Sequence, residues 1–243
     1  MLVLRLGPGF RRWLALLCGL ALLTTVLRWG LQHDTAAIRL TQAPIARLSA
    51  AGPAVALTFD APGAGAPELA TALQAAGLPA TVFVSGREAA ARPQDVRALS
   101  AAGLEVETLG WGATASRAAT AARLEADLRR AVAAVGADTG APPIFFRPPA
   151  GRYDPVLLRA VERAHLATVT WTARIAAPAS ATIAAQAAAA LQPGAILLLP
   201  ATPAGIAALP AIATALRTRG YAPVTLDVLL GMAEGAQRRG LTP

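Results

Sequence analysis

Few side chains in this sequence carry reactive chemistry. There are two histidines, His33 and His165, and a single cysteine, Cys18. All 22 basic residues are arginines, and lysine and asparagine are absent. Lysine Schiff-base chemistry is therefore excluded, as is a P-loop, whose phosphate contact needs lysine. N-glycosylation has no acceptor. One cysteine allows neither an intrachain disulfide framework nor a cysteine-rich zinc site. A multi-histidine metal centre would have to use both histidines. What remains is a set of carboxylates and arginines, and their use depends on where the fold places them.

The elements that must do the placing alternate between strand-like and helix-like runs from Ala54 onward. Apolar strands are expected at Ala54–Phe59, Ala80–Val84, Leu104–Thr108, Ile144–Phe146, Ala167–Trp171, Ala195–Leu199 and Pro223–Leu226. Helices are expected near Pro67–Ala76, Pro93–Ala102, Thr120–Val135, Pro155–Ala164, Thr182–Leu191 and Leu209–Arg219. Wholly apolar strands are buried on both faces, which implies a parallel sheet covered by helices. The number of βα units points to a barrel or barrel-like sheet. Such folds place active sites at the C-terminal ends of the strands. Asp60, Trp111, Arg147, Ala150, Trp171 and Arg174 all fall at or shortly after such ends.

The N-terminal part reads differently. Arg5, Arg11 and Arg12 precede the uninterrupted run Trp13–Leu27, and Arg28 and Trp29 follow it. As a helix the run spans roughly 22 Å, short of a ~30 Å hydrocarbon core. Snorkelling arginines and interfacial tryptophans at both ends make up the difference. We read it as an uncleaved single-pass anchor, with a cleaved secretory signal as the competing reading. The arginines ahead of the run put the N-terminus in the cytoplasm and the rest outside it, at the inner (cytoplasmic) membrane with a periplasmic globular part. The expected organisation is an anchor at 1–30, a linker at 31–52, the globular domain at 53–232 and a basic tail at 233–243. Of the net charge of +8, residues 1–52 carry six arginines against one aspartate. Residues 53–232 are nearly balanced, with 14 arginines against 12 acids. The basic character therefore belongs mainly to the membrane flank. Aromatics make up 5% of the chain, and no nucleic-acid partner is expected.

The segments around the strand ends resemble the polysaccharide deacetylase family, the NodB-homology or carbohydrate esterase 4 fold. Leu57-Thr58-Phe59-Asp60 is similar to the family's T-F-D-D opening. Gly77–Gly86 resembles its G-x-x-A-T-F-F-x-x-G strand, and Gly103–Leu109 sits where the family has G-H-E-I-G-N-H. Phe146–Gly151 resembles F-R-P-P-Y-G, and Gln192–Leu199 resembles P-G-x-I-I-L-L-H. Gly220-Tyr221 with Val224–Leu226 resembles the closing G-Y-x-x-V-T-L. The resemblance runs from about residue 53 to 232 and implies a distorted (β/α) barrel.

The resemblance also implies a catalytic set. The family holds a divalent metal with one Asp and two His, and uses a second Asp as base, an Arg that orients it and a His as acid. Carried over residue by residue, the base falls on Asp60 and its orienting Arg on Arg147. The metal-ligand Asp falls on Ala61, the two ligand His on Leu109 and Ala113, and the acid on Pro200. The Tyr whose backbone helps build the oxyanion site falls on Ala150, and the fourth-motif Asp falls near Arg174, after Trp171. Ala and Leu offer a metal no lone pair, so no metal or other cofactor is expected. Asp60 and Arg147 are a remnant pair, either catalytic or structural. Trp111, Ala150, Trp171 and Arg174 are candidate ligand-binding residues, Trp111 as a sugar platform or as core. Glu105 and Glu107 read as strand-end or surface residues, and His165 as a helix-terminus histidine. The expected protein is a membrane-anchored pseudoenzyme that binds a polysaccharide or a protein partner. The alternatives are a divergent metal-independent hydrolase of acetylated polysaccharide and an accessory subunit of a membrane complex.

Overall fold

The structure, a computed structural model, describes residues 43–48, 52–60, 65–112 and 120–238. The apolar run Trp13–Leu27, Cys18, His33, Ala61 and Ala113 lie outside them. Among the described residues no helix is long and apolar enough to cross a membrane.

Eight parallel strands form one sheet in the order β5-β4-β3-β2-β1-β7-β6, and β8 pairs with the first half of β1. The strands are β1 (Ala54–Asp60), β2 (Thr81–Val84), β3 (Glu105–Thr108), β4 (Phe145–Phe146), β5 (Ala167–Thr168), β6 (Ala173–Arg174), β7 (Ile196–Leu199) and β8 (Ala222–Val224). The alternation along β1 sets its two faces. Val55, Leu57 and Phe59 join one core cluster with Leu69 and Leu73 of α1 (Ala66–Ala76), Ile183 of α6 (Ser180–Ala189) and Leu209 and Ile212 of α7 (Pro203–Thr218). Ala54 and Ala56 belong to another cluster with Phe83, Phe145, Val169 and Ile196. That second face is closed by Leu226 and Leu229 of α8 (Leu226–Arg238), with Ile45 and Leu48 packed against it. Both faces are covered, as continuous apolar strands require.

Several elements differ from expectation. A short helix α2 (Gly86–Ala91) precedes α3 (Pro93–Ala101). Its start is a capping box: Ser85 Oγ accepts from the Glu88 N–H, and the Glu88 carboxylate accepts from the Ser85 N–H. Helix α4 (Ala121–Thr139) runs four residues past the expected end, to Gly140 at φ +76°. Helix α7 begins at Pro203 under a Thr202 cap and continues through Pro210. The expected strand Ala167–Trp171 is two. After Thr168 the chain leaves β4, pairs with Ile45, and re-enters the sheet as β6 beside β7. Trp171 therefore lies in a crossover.

The presumed linker is partly structural. The Ile45 N–H donates to the Thr168 carbonyl, and its own carbonyl accepts from Thr170. The Leu48 N–H donates to Gly194, ahead of β7. Residues 43–48 thus bridge the β5 side of the sheet to its β7 side. The presumed tail is also partly helix: α8 crosses residue 232 and buries Leu226, Leu229, Ala233 and Ala236 at helical spacing.

Candidate functional site at the strand ends

Asp60 is the last residue of β1, on the same side as Ala54 and Ala56 by the period of two. Arg147 follows β4, and its N–H donates to the Thr108 carbonyl of β3. These two ends meet. Arg147 Nη1 donates to Asp60 Oδ1 at 3.1 Å, while Nη2 donates to Thr58 Oγ1 at 2.9 Å and to the Thr170 carbonyl at 3.2 Å. The Arg147 side chain is fully buried, and that of Asp60 is 39% exposed. The guanidinium lies 4.0 Å over the Phe83 ring and 5.8 Å from the Trp171 ring. Burial lowers the Arg147 pKa from its usual value, and the Asp60 charge and hydrogen bond oppose that shift. Arg147 Nε is buried without a partner.

The turn after Arg147 is shaped for close approach. Ala150 holds φ +53° inside the 3-10 turn Pro149–Gly151. A left-handed alanine costs about 1 kcal/mol, and such outliers gather at functional sites. A Cβ at Gly151 would stand 2.8 Å from the Trp171 indole, so the bare glycine seats that ring. Asp60, Arg147 and Trp171 are thus brought together, with Ala150 in the adjoining turn.

Other sequence candidates sit elsewhere. Arg174 ends β6 and lines a shallow open hollow with Gln186 and Ala189 of α6 and Ala190 just after it. Trp111 packs at the start of α2, where a Cβ on Gly86 would stand 2.7 Å from its ring, and its ring carries the Arg130 guanidinium at 3.5 Å. That face is not open to a sugar. His165 is exposed at φ +58°, closing α5 (Pro155–Arg163).

Glu107 is not a surface residue; it is 4% exposed. Its Oε2 accepts from the Ile144 and Phe145 N–H groups and so fixes the start of β4. Glu105 accepts from the Leu226 and Asp227 N–H groups and from the Thr81 hydroxyl, holding the first turn of α8. Burial raises both carboxyl pKa values. Glu105 is pushed up to about 7, with help from the nearby Asp227 charge, and Glu107 is also raised by Glu105.

The donor set does not fit a metal. Leu109 packs against the core of the second face. Pro200 is wedged over Gly205, where a Cβ would stand 1.8 Å from the Pro200 carbonyl oxygen. Ala61 and Ala113 carry no donor atoms. Among the described residues no group of three or more His, Cys, Asp or Glu could hold a metal ion.

A parallel α/β sheet with an acid–arginine pair at its strand ends defines a class. The polysaccharide deacetylase family model matches residues 48–169, and the chain belongs to that family. A family 4 carbohydrate esterase from Streptomyces lividans, solved with acetate, is 29% identical with a TM-score of 0.66, covering 72% of this chain and 93% of that one. A family 4 carbohydrate esterase pseudoenzyme from Bacillus anthracis is 22% identical with a TM-score of 0.73, covering 79% and 70%. A mutant of that pseudoenzyme, described as having restored enzymatic activity, is 24% identical with a TM-score of 0.73, covering 79% and 72%. No curated protein matches the chain.

Proposed function

We propose that this protein is a pseudoenzyme of the polysaccharide deacetylase family, anchored in the cytoplasmic membrane and working outside it by binding a glycan or an envelope protein. In this reading the chain runs from a cytoplasmic stub through one transmembrane helix at Trp13–Leu27 into a distorted (β/α) barrel. The observation that carries it is the selective loss at the strand ends. Asp60 and Arg147 persist as a pair, while Ala61, Leu109, Ala113 and Pro200 occupy the positions of the metal ligands and the acid. A buried arginine needs its carboxylate whether or not chemistry occurs, so structure alone retains the pair.

One feature favours a second reading, a metal-independent hydrolase of acetylated polysaccharide. Asp60 keeps a partly exposed carboxylate beside the strained Ala150 turn. A base there would accept a proton from water at Asp60.

Two assays separate these readings. The full-length protein is expected to bind no zinc stoichiometrically and to release no acetate from acetylated chito-oligomers or xylan. Tight zinc binding lost on changing Asp60, or acetate release abolished by Asp60→Asn, would overturn the pseudoenzyme reading. As a positive control for the fold, the Ala61→Asp/Leu109→His/Ala113→His variant is expected to gain zinc binding. Purification in mild detergent tests for a partner. A monomer free of other membrane proteins would speak against an accessory subunit.

A further inference from the structure

A second cleft opens on the flank of the β3 end, between the turn Leu109–Gly112, α2 and α4. Its volume is about 330 Å³, and three guanidiniums line it: Arg87, Arg123 and Arg130. Among the described residues Asp127 is its one acid. Four arginines elsewhere in the domain have carboxylate partners, Arg92 with Glu88 and Asp95, Arg97 with Asp138, Arg129 with Glu125 and Arg147 with Asp60, while others among the described residues, such as Arg152, Arg174 and Arg217, stand exposed without one. Among the described residues none of the three cleft arginines has a carboxylate partner. Unmatched like charges gathered in one cleft focus a positive potential there, and an anion relieves their repulsion.

Two of these arginines are placed by neighbours that leave room for them. The Gly86 and Arg87 N–H groups donate to the Gly110 and Trp111 carbonyls at 2.9 and 3.0 Å, which ties α2 to the β3 turn. A Cβ on Gly86 would also stand 2.7 Å from Ala131 Cα of α4, so the bare glycine lets α4 come close. Trp111 is fixed there, and Arg130 stacks on it at 3.5 Å. A stacked guanidinium is preorganised, yet keeps its in-plane N–H groups for a ligand. Gly112 spares space for Arg87, whose guanidinium would lie 3.6 Å from a Cβ at that position. Arg123, Asp127 and Arg130 follow the i, i+4, i+7 spacing of one helix face. Arg123 also sits in the first turn of a 19-residue helix with no acid there, so the helix dipole adds to its charge.

We infer that this cleft binds an anionic polysaccharide, a glycan bearing carboxylate or phosphate groups along its chain. Spaced guanidiniums suit repeated oxyanions, which each can grip in bidentate fashion. Asp127 can accept hydrogen bonds from sugar hydroxyls between them. Single-stranded nucleic acid is disfavoured, because it needs open aromatic faces for its bases and the Trp111 face is taken by Arg130. The inference rests on the binding reading proposed above and names its ligand class.

The test measures binding of the full-length protein to polygalacturonate, poly(glycerol phosphate), neutral xylan, chito-oligosaccharide and single-stranded DNA. It compares Arg87→Gln/Arg123→Gln with a charge-matched control, Arg217→Gln/Arg219→Gln, at low and physiological salt. At least one anionic glycan is expected to bind about tenfold more tightly than the neutral ones, and the cleft variant to lose about tenfold while the control loses little. Which polymer binds tells carboxylate from phosphate recognition. Equal losses in cleft variant and control, or DNA bound as tightly, would overturn the inference. Binding of neutral but not anionic glycans would defeat it while leaving the broader binding reading standing. No binding to any glycan would defeat this inference and the glycan branch of that reading together. Zinc and acetate assays decide the pseudoenzyme question separately.

Discussion

The inner face of the sheet carries two buried polar clusters, one at each end of the strands, and they solve the problem of burial in opposite ways. At the C-terminal end a buried cation is answered by a carboxylate: Arg147 by Asp60, with Thr58 and the Thr170 carbonyl taking the remaining Nη2 bonds. At the N-terminal end two carboxyl groups, Glu105 and Glu107, stand near each other with no cation. They are met only by backbone N–H groups and the Thr81 hydroxyl. The first cluster offsets the burial of its cation with an opposite charge and a direct hydrogen bond. The second lowers its cost by holding on to protons, because desolvation and mutual repulsion favour the neutral form. The catalytic roles implied by the family resemblance fall on the first cluster. The acid-rich cluster anchors α8 and β4, and of its two carboxylates only Glu105 coincides with a family motif residue, the E of G-H-E-I-G-N-H.

Removing the cation should break this contrast most sharply. Arg147→Ala deletes a fully buried side chain and strands Thr58 and Asp60, so we expect a loss of about 3–5 kcal/mol in chemical denaturation. Asp60→Asn keeps the shape but removes the charge, and should cost about 2 kcal/mol at neutral pH. If the pair acts as a unit, Asp60→Asn/Arg147→Met will cost clearly less than the two single changes added together.

The opposite cluster should reveal itself through pH. The folded-state pKa of Glu105, about 7, lies above its ordinary value of 4.5. Its stabilising contribution is therefore fully present below about 4.5 and fades as pH rises through about 7. Glu105→Gln should flatten that decline, by about 3 kcal/mol between the two limits, in melts followed across this range. An unchanged pH profile would mean that Glu105 is already ionised. The smallest effect belongs to Thr58→Val, which removes one acceptor for Arg147 and one bond to the Leu197 carbonyl. It should cost about 1 kcal/mol, with Arg147 kept in place.

Much of the frame could be read from residue order. The apolar runs gave β1, β2 and β7 because strands buried on both faces leave no polar alternation to confuse them. Asp60 and Arg147 were located through their flanking motifs, and the structure joins them. The short helix α2 escaped notice because six residues carry little periodicity, although Ser85 and Glu88 stand at capping-box spacing. The split after Thr168 depends on Ile45, which lies over a hundred residues away and belongs to no apolar repeat. Glu105-Val106-Glu107-Thr108 does alternate, but alternation alone does not say which face is inside. Arg123, Asp127 and Arg130 were recoverable from helical spacing, whereas Arg87 joins them only through the bonds that tie α2 to Gly110 and Trp111.

The bridge made by residues 43–48 sets the load path of the domain. Tension arriving from the N-terminal side meets the Ile45 bonds to Thr168 and Thr170 and the Leu48 bond to Gly194 before it reaches β1. These few bonds would act as a mechanical fuse. A pull would peel this segment and unlatch the two sides of the sheet before any central strand yields, so an optical-tweezers trace should show a small early extension ahead of the main unfolding event.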